Sequence, residues 1–165
     1  TDARVYRISA NAQSVVTTQG FNIGLNYYFS DVWAINGNYS WNRLNKAGSD
    51  DPIIPAFNTP EHKYNLGLTA RKLRMPFMKG NKWGMAINYK WVQGFTFEGS
   101  PQFTGDIDSY GLLDGQISYD LSPVTIKVGA SNILNNKVFQ VYGGPRVGRM
   151  IYASLLFEPR LKKKI

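Results

Sequence analysis

Apolar and polar residues exchange places at every second position through most of the chain, and that period decides what it can fold into. From Phe21 the odd positions Phe21, Ile23, Leu25, Tyr27 and Phe29 are apolar, while Asn22, Gly24 and Asn26 fill the even ones. Trp33, Ile35, Tyr39 and Trp41 then share a face with Gly37, and Ala34, Asn36, Asn38, Ser40 and Asn42 share the other. Successive side chains of a strand point to opposite faces, so this is the signature of strands with one apolar and one polar side. The pattern recurs in Tyr64, Leu66, Leu68 and Ala70, and in Trp83, Met85, Ile87, Tyr89 and Trp91. It returns in Leu113, Ile117, Tyr119 and Leu121, in Val124, Ile126, Val128 and Ala130, and in a last strand from about Arg149 to Phe157.

With a weaker opening segment around Arg4 to Ala10, the period predicts about eight strands and no helix. The uncharged stretch from Ile8 to Ser30 is broken by Asn11, Gln13, Thr17, Thr18, Gln19, Asn22 and Asn26, so it cannot serve as a membrane-spanning helix. The chain opens on Thr1-Asp2-Ala3 without a leader, as a mature product or a part of something longer would. Connections alternate in length. Ser30-Asp31, Arg74 to Asn81 and Ser122-Pro123 are the shorter joints, whereas Asn45 to Glu61, Glu98 to Ser109 and Asn135 to Gly148 are long and rich in Gly, Pro, Asp and Asn. Short turns at one rim and long loops at the other describe an antiparallel up-and-down barrel of a Gram-negative outer membrane. The long loops are then expected outside the cell, and the short turns and the C-terminus in the periplasm.

The polar face argues for lipid outside and a wide bore inside. A soluble sandwich turns a face rich in Lys, Glu and Thr to water; here that face is mainly Asn, Gly, Ser, Ala and Thr. Trp33 and Trp41 bracket one strand, and Trp83 and Trp91 another. Eight residues tilted by about 45° span about 19 Å of depth, close to the girdle spacing of a lipid-facing band. Trp33, Trp41, Trp83 and Trp91, with Tyr27, Tyr39 and Tyr89, are therefore the candidate anchors at the membrane interfaces. Asn36, Asn38, Asn42, Asn88, Lys90, Asp114 and Lys127 are the candidate lumen-facing residues, touching a plug or a solute or simply setting the charge of the wall. A closed eight-stranded barrel must fill its interior with side chains, and runs such as Asn36, Asn38, Ser40, Asn42 would leave it underfilled. A section of a larger barrel is expected.

Catalysis finds little to build on. With no cysteine, disulfides, thiolate zinc sites and cysteine nucleophiles are excluded. His62 is the lone histidine and stands beside Pro60 at a loop-to-strand junction, where solvation or capping is its expected role. Asp50, Asp51, Asp106 and Asp108 lack EF-hand spacing, and GGPRVG after Val141 lacks the P-loop ending and reads as a turn. No enzyme, cofactor or metal is expected. The net charge of +8 comes largely from Arg71, Lys72, Arg74, Lys79 and Lys82 in one turn region and from Lys162, Lys163 and Lys164 at the end. These cations are not interleaved with aromatics on one surface, which argues against nucleic acid. Phe57, Phe95, Phe97, Phe103 and Tyr142 lie in the long loops, where a substrate vestibule would be built.

Four segments together carry a resemblance: VTTQGFNIGLNYYFSDVWAINGNYSWNRLN (Val16–Asn45), FNTPEHKYNLGL (Phe57–Leu68), SNILNNK (Ser131–Lys137) and YGGPRVGRMIYASLLF (Tyr142–Phe157). With them the chain resembles the C-terminal end of TonB-dependent outer-membrane transporters of the Bacteroidetes type. The resemblance implies a plugged barrel of about 22 strands, of which residues 1–158 supply the last eight or so and residues 159–165 a basic periplasmic tail. It further implies a missing N-terminal plug and upstream strands, coupling to the TonB energy complex, and a possible surface lipoprotein. The implied work is import of a scarce nutrient such as an iron chelate, a vitamin or a glycan. Ile151, Ala153, Leu155 and Phe157 resemble the C-terminal signal read by the barrel-assembly machinery, although Glu158 to Ile165 follow the aromatic. Two alternatives stay open: a complete eight-stranded barrel that anchors or adheres, and a soluble ligand-binding β-barrel.

Overall fold

A computed structural model describes residues 17–45, 57–74, 82–99 and 103–159. The chain enters as β1 (Thr17–Tyr28), β2 (Trp33–Asn45), β3 (His62–Leu73) and β4 (Lys82–Val92). Two short strands follow, β5 (Phe95–Phe97) and β6 (Gly105–Ile107), and then β7 (Tyr110–Asp120), β8 (Val124–Ser131) and β9 (Met150–Phe157). The long strands form one seven-stranded sheet in the order β1-β2-β3-β4-β7-β8-β9, and β5 pairs with β6 alone. Every pairing is antiparallel between strands that follow one another along the sheet, an up-and-down meander. The opening segment around Arg4 to Ala10, Asp50, Asp51 and Lys79, and the lysines of the tail lie outside the described residues.

Register keeps the two faces separate across all seven strands. Phe21 pairs with Trp41, Trp41 with His62, Leu25 with Gly37 and Gly37 with Leu66. Leu66 continues to Tyr89, Tyr89 to Leu113, Ile117 to Val128 and Val128 to Ala153. A slip of one residue anywhere would turn an apolar row onto the polar side, and one such irregularity does occur. Between Ala70 and Leu73 the β3–β4 ladder shifts, with Ala70 opposite Met85 and Leu73 opposite Trp83. Lys72 takes φ 57° there. Two residues of β3 thus stand against one of β4, a bulge that returns Leu73 to the apolar face beside Trp83.

The sheet is open. Among the described residues β1 and β9 are its edges, and every residue of both is exposed. Among the described residues the meander has no two-sided core: the buried hydrophobics there are Ala70, Val92, Ile107 and Tyr110, and three of these four cluster at one rim. Unpaired strand edges are an association hazard unless covered, so a barrel wall of this kind needs further strands to close it. The strand ends Tyr28, Trp33, Leu73, Lys82, Asp120 and Val124 fall at one rim and Asn45, His62, Val92, Tyr110, Ser131 and Met150 at the other, the alternation that the lengths of the connections predict. The β5–β6 hairpin is absent from the sequence prediction, because three residues per strand are too few to establish a period.

Candidate functional site: a two-faced wall and its loop crown

The apolar face divides into three levels. Toward the long-loop rim, Phe21 meets Tyr39 and Trp41 at ring-centroid distances of 5.9 and 5.6 Å, Tyr39 stacks on His62 at 6.0 Å, and Tyr64 meets Tyr89 and Trp91 at 6.2 and 5.4 Å. Toward the short-turn rim, Phe29 lies between Tyr27 and Trp33 at 6.5 and 6.4 Å, and Trp83 packs on Tyr119 at 4.3 Å. Aliphatic residues fill the space between, with Ile23, Leu25, Leu66, Ile117 and Val128 each at least half exposed. Polar tips finish the upper row: Trp41 Nε1 donates to Glu61 Oε1 at 3.2 Å, and Tyr39 Oη pairs with His62 Nδ1 at 2.6 Å. His62 is therefore a half-buried member of this band and not simply solvated, its backbone N–H donating to Gln93 Oε1 at 3.1 Å. At the lower level Trp83 Nε1 is buried without an acceptor among the described residues.

The polar face is an amide surface with charges toward its ends. Asn38 pairs in register with Asn65, Asn36 with Gly67, and Gly67 with Asn88. Asn65 Nδ2 donates to Asn38 Oδ1 at 2.7 Å, and the Asn36 amide lies over Gly67 where any β-carbon would collide with it. Asn26, Asn36, Asn38, Asn65 and Asn88 line a depression of about 390 Å³ that holds no charged side chain among the described residues. Lys127 and Asp120 stand nearer the short-turn rim, around a second depression that includes Arg71 and Lys82. Lys90 lies opposite Asn65 and Leu112. Asp114 is already engaged, since its Oδ1 accepts the Asn132 backbone N–H at 2.8 Å.

The described parts of the long loops form a crown with its own packing. Val92, Ile107 and Tyr110 are buried together, with Phe95, Phe97, Leu112 and Val138 packed around them. Asn58 clamps the neighbouring loop through both amide atoms, Nδ2 donating to Glu98 O at 2.9 Å and Oδ1 accepting from Glu98 N at 2.7 Å. Tyr142 lies on Gly105 and Phe103 on Gly143, so the loop before β7 and the loop before β9 interlock. Gly143 takes φ 73°, the turn conformation expected of GGPRVG, and Arg146 stacks on Phe139 at 4.3 Å. Of the predicted vestibule aromatics, Phe95 and Phe97 are spent on the crown's interior, while Phe103 and Tyr142 stay exposed.

SNILNNK turns out to be a stitch. Asn132 and Asn135 adopt φ of 51° and 54°, a region asparagine tolerates better than most residues. Asn132 is 5% exposed; its Nδ2 donates to Asn136 O at 3.0 Å and Val147 O at 3.2 Å, and its Oδ1 accepts from Asn136 N at 2.9 Å. Asn135 Oδ1 accepts from Arg149 N at 3.0 Å, and Asn136 Nδ2 donates to Gly111 O at 3.1 Å. Three side chains thus tie β7, the loop and the start of β9 together. The signal was the unusual density of Asn, which alternation does not weigh.

The predicted interface residues Trp33, Trp41, Trp83, Trp91, Tyr27, Tyr39 and Tyr89 all fall on the apolar face, and Asn36, Asn38, Asn42, Asn88, Lys90, Asp114 and Lys127 all fall on the opposite one. Ile151, Leu155 and Phe157 share the apolar face of β9 at 76, 76 and 65% exposure. Among the described residues no group of three or more acidic or histidine side chains could hold a metal ion. Asp106 Oδ1 instead accepts from Thr96 Oγ1 at 2.7 Å across β5–β6.

Long antiparallel strands whose exposed side is greasy between two aromatic rows, and whose other side is amide-lined, make the wall of a membrane-spanning β-barrel. The sequence pattern of the TonB-dependent receptor-like β-barrel family matches residues 2–133, a span that takes in β1 through β8, and the chain belongs to that family of outer-membrane transport receptors. Comparison with curated proteins and with solved structures gives no match.

Proposed function

We propose that this wall belongs to a TonB-dependent transporter that imports a scarce nutrient, an iron chelate, a vitamin or a glycan, through a plugged barrel. The observation that carries the reading is the separation of faces over seven strands, with an exposed apolar side and an opposite side of small amides that would leave a narrow lumen unfilled. The aromatic rows then sit at the two lipid–water interfaces, the long loops outside the cell and the short turns in the periplasm. The polar face meets the plug and the passing solute, and the inner-membrane energy complex acts on the plug through TonB. Ile151, Leu155 and Phe157 present β9 to the assembly machinery, and a surface lipoprotein covering the crown is compatible with its exposed Phe103 and Tyr142.

Growth of a strain lacking the full gene tests this on each nutrient class as the limiting source. The expected result is loss of one class, restored by the intact gene and not in a strain without TonB. Growth unchanged on all of them, together with heat-modifiable folding of residues 1–165 alone, would instead favour the self-contained anchoring barrel.

A further inference from the structure

Tyr28 stands where the separation of faces does not call for an aromatic ring. It pairs with Ala34, and Ala34 with Thr69, so it belongs to the polar side of the wall, yet it is 73% exposed. With Asn26, Asn36, Thr69 and Arg71 it borders a depression of about 200 Å³. Asn26 and Asn36 also line the amide depression that continues through Asn38, Asn65 and Asn88, so the two make one strip from the short-turn rim toward mid-wall. Arg71 is the one cation lining the strip and Asp31 the one anion, which leaves it without net charge. Its amides are largely unspent. Asn65 Nδ2 donates to Asn38 Oδ1 at 2.7 Å, and among the described residues the side chains of Asn26, Asn36 and Asn88 have no hydrogen-bond partner. Gly24 keeps the floor low, since a β-carbon there would meet nothing nearer than Gly37 O at 4.0 Å.

A carboxamide holds two N–H donors beside an acceptor oxygen in one plane. That pattern matches adjacent hydroxyls of a sugar, each of them both donor and acceptor. A tyrosine ring adds a flat apolar face with a polar tip, which the C–H face of a pyranose covers. A carboxylate- or phosphate-bearing chelate calls instead for charge-assisted donors, and Lys82 and Lys127 border the neighbouring depression, not this strip. We infer that the strip is a binding track for a neutral oligosaccharide, with Tyr28 stacking on one sugar ring and Asn26, Asn36, Asn38 and Asn88 bonding its hydroxyls. This rests on the transporter reading, in which the polar face lines the bore, and narrows the imported nutrient to a glycan.

The full-length receptor in mild detergent, offered equimolar maltohexaose, cellohexaose, mannohexaose and the anionic hexagalacturonate, tests it by mass spectrometry of the sugar retained. At least one neutral sugar should be held about tenfold or more above hexagalacturonate. The N36A/N88A protein, which loses two neutral hydrogen-bonding groups, should retain about tenfold less of it, and Tyr28→Ala about as little. Gly24→Trp, whose ring enters open space over the amides, should abolish retention while the barrel still migrates as a heat-modifiable species. Unchanged retention in any folded variant overturns the track; if Gly24→Trp fails to fold, Tyr28→Ala and N36A/N88A decide. Retention of no neutral sugar, or of hexagalacturonate equally well, overturns it too. Growth keeps this apart from the transporter reading. TonB-dependent growth on an iron chelate or a vitamin that Gly24→Trp leaves untouched would sink the track and spare the transporter, whereas growth that never depends on the receptor or on TonB would sink the transporter itself.

Discussion

The wall and the crown hold together by opposite means. In the wall almost every large side chain of the apolar face keeps substantial exposure, with Leu25 at 64% and Leu66 at 56%, so strand pairing alone orders it and its apolar surface is satisfied from outside the chain. In the crown, Ile107 at 3% and Val92 at 4% are buried by protein, and Asn58, Asn132 and Asn136 supply hydrogen bonds that no ladder provides. A wall takes its driving force from lipid and a crown from its own packing. Mutations should therefore separate the two regions by environment as well as by size of effect.

Leu66→Arg should produce the largest loss. Leu66 lies at mid-height between Gly37 and Tyr89 on the exposed face, and a cation on the lipid side near mid-bilayer costs about 2–4 kcal/mol. Asn65→Arg, one residue away and on the other face, should cost far less, because its side chain would project into the aqueous bore. Folding of the full receptor into vesicles under a urea gradient measures both. Equal costs for the two would break the distinction between a lipid side and a water side.

Asn132→Ala should come next, at about 1–3 kcal/mol, since it removes one buried side chain and leaves the Asn136 N–H and the Asn136 and Val147 carbonyls without that partner. Its mark should be local: proteolysis within 132–149 should accelerate while the strands stay protected. Accelerated cleavage throughout β7 and β9 would show instead that the stitch holds the sheet edge as well as the loop.

These two positions also show where the sequence was legible. Leu66 and Asn65 could be assigned to opposite faces from alternation alone, because a strand carries one bit of information per residue and the sheet conserves it from β1 to β9. The β3 bulge escaped, since Arg71 and Lys72 are both cationic and hide the change of phase that Leu73 reveals. Asn132, Asn135 and Asn136 were visible as a motif, but which carbonyl or amide each one grips depends on segments up to 25 residues away that no local pattern brings together. The place of Phe95 and Phe97 in a long loop points to a vestibule; their partial burial follows from Ile107 and Val138, which reach them only through the folded crown.

Ile107→Val gives the smallest and most discriminating change. It removes one methylene from a side chain that pairs with Phe95 in the β5–β6 hairpin and packs on Val92 and Tyr110, a loss of about 0.5–1.5 kcal/mol for a well-packed site. If the crown is its own cooperative unit, hydrogen exchange should quicken at the β5–β6 backbone amides and leave the amides of β4 and β7 below the rim unchanged, because local opening draws only on the contacts of that unit. Val92 and Tyr110 belong to both regions, being the rim-end residues of β4 and β7 and members of the buried cluster. Exchange that quickens equally down both strands would mean that these two residues transmit the crown's packing into the wall, and the two regions would then have to be treated as one.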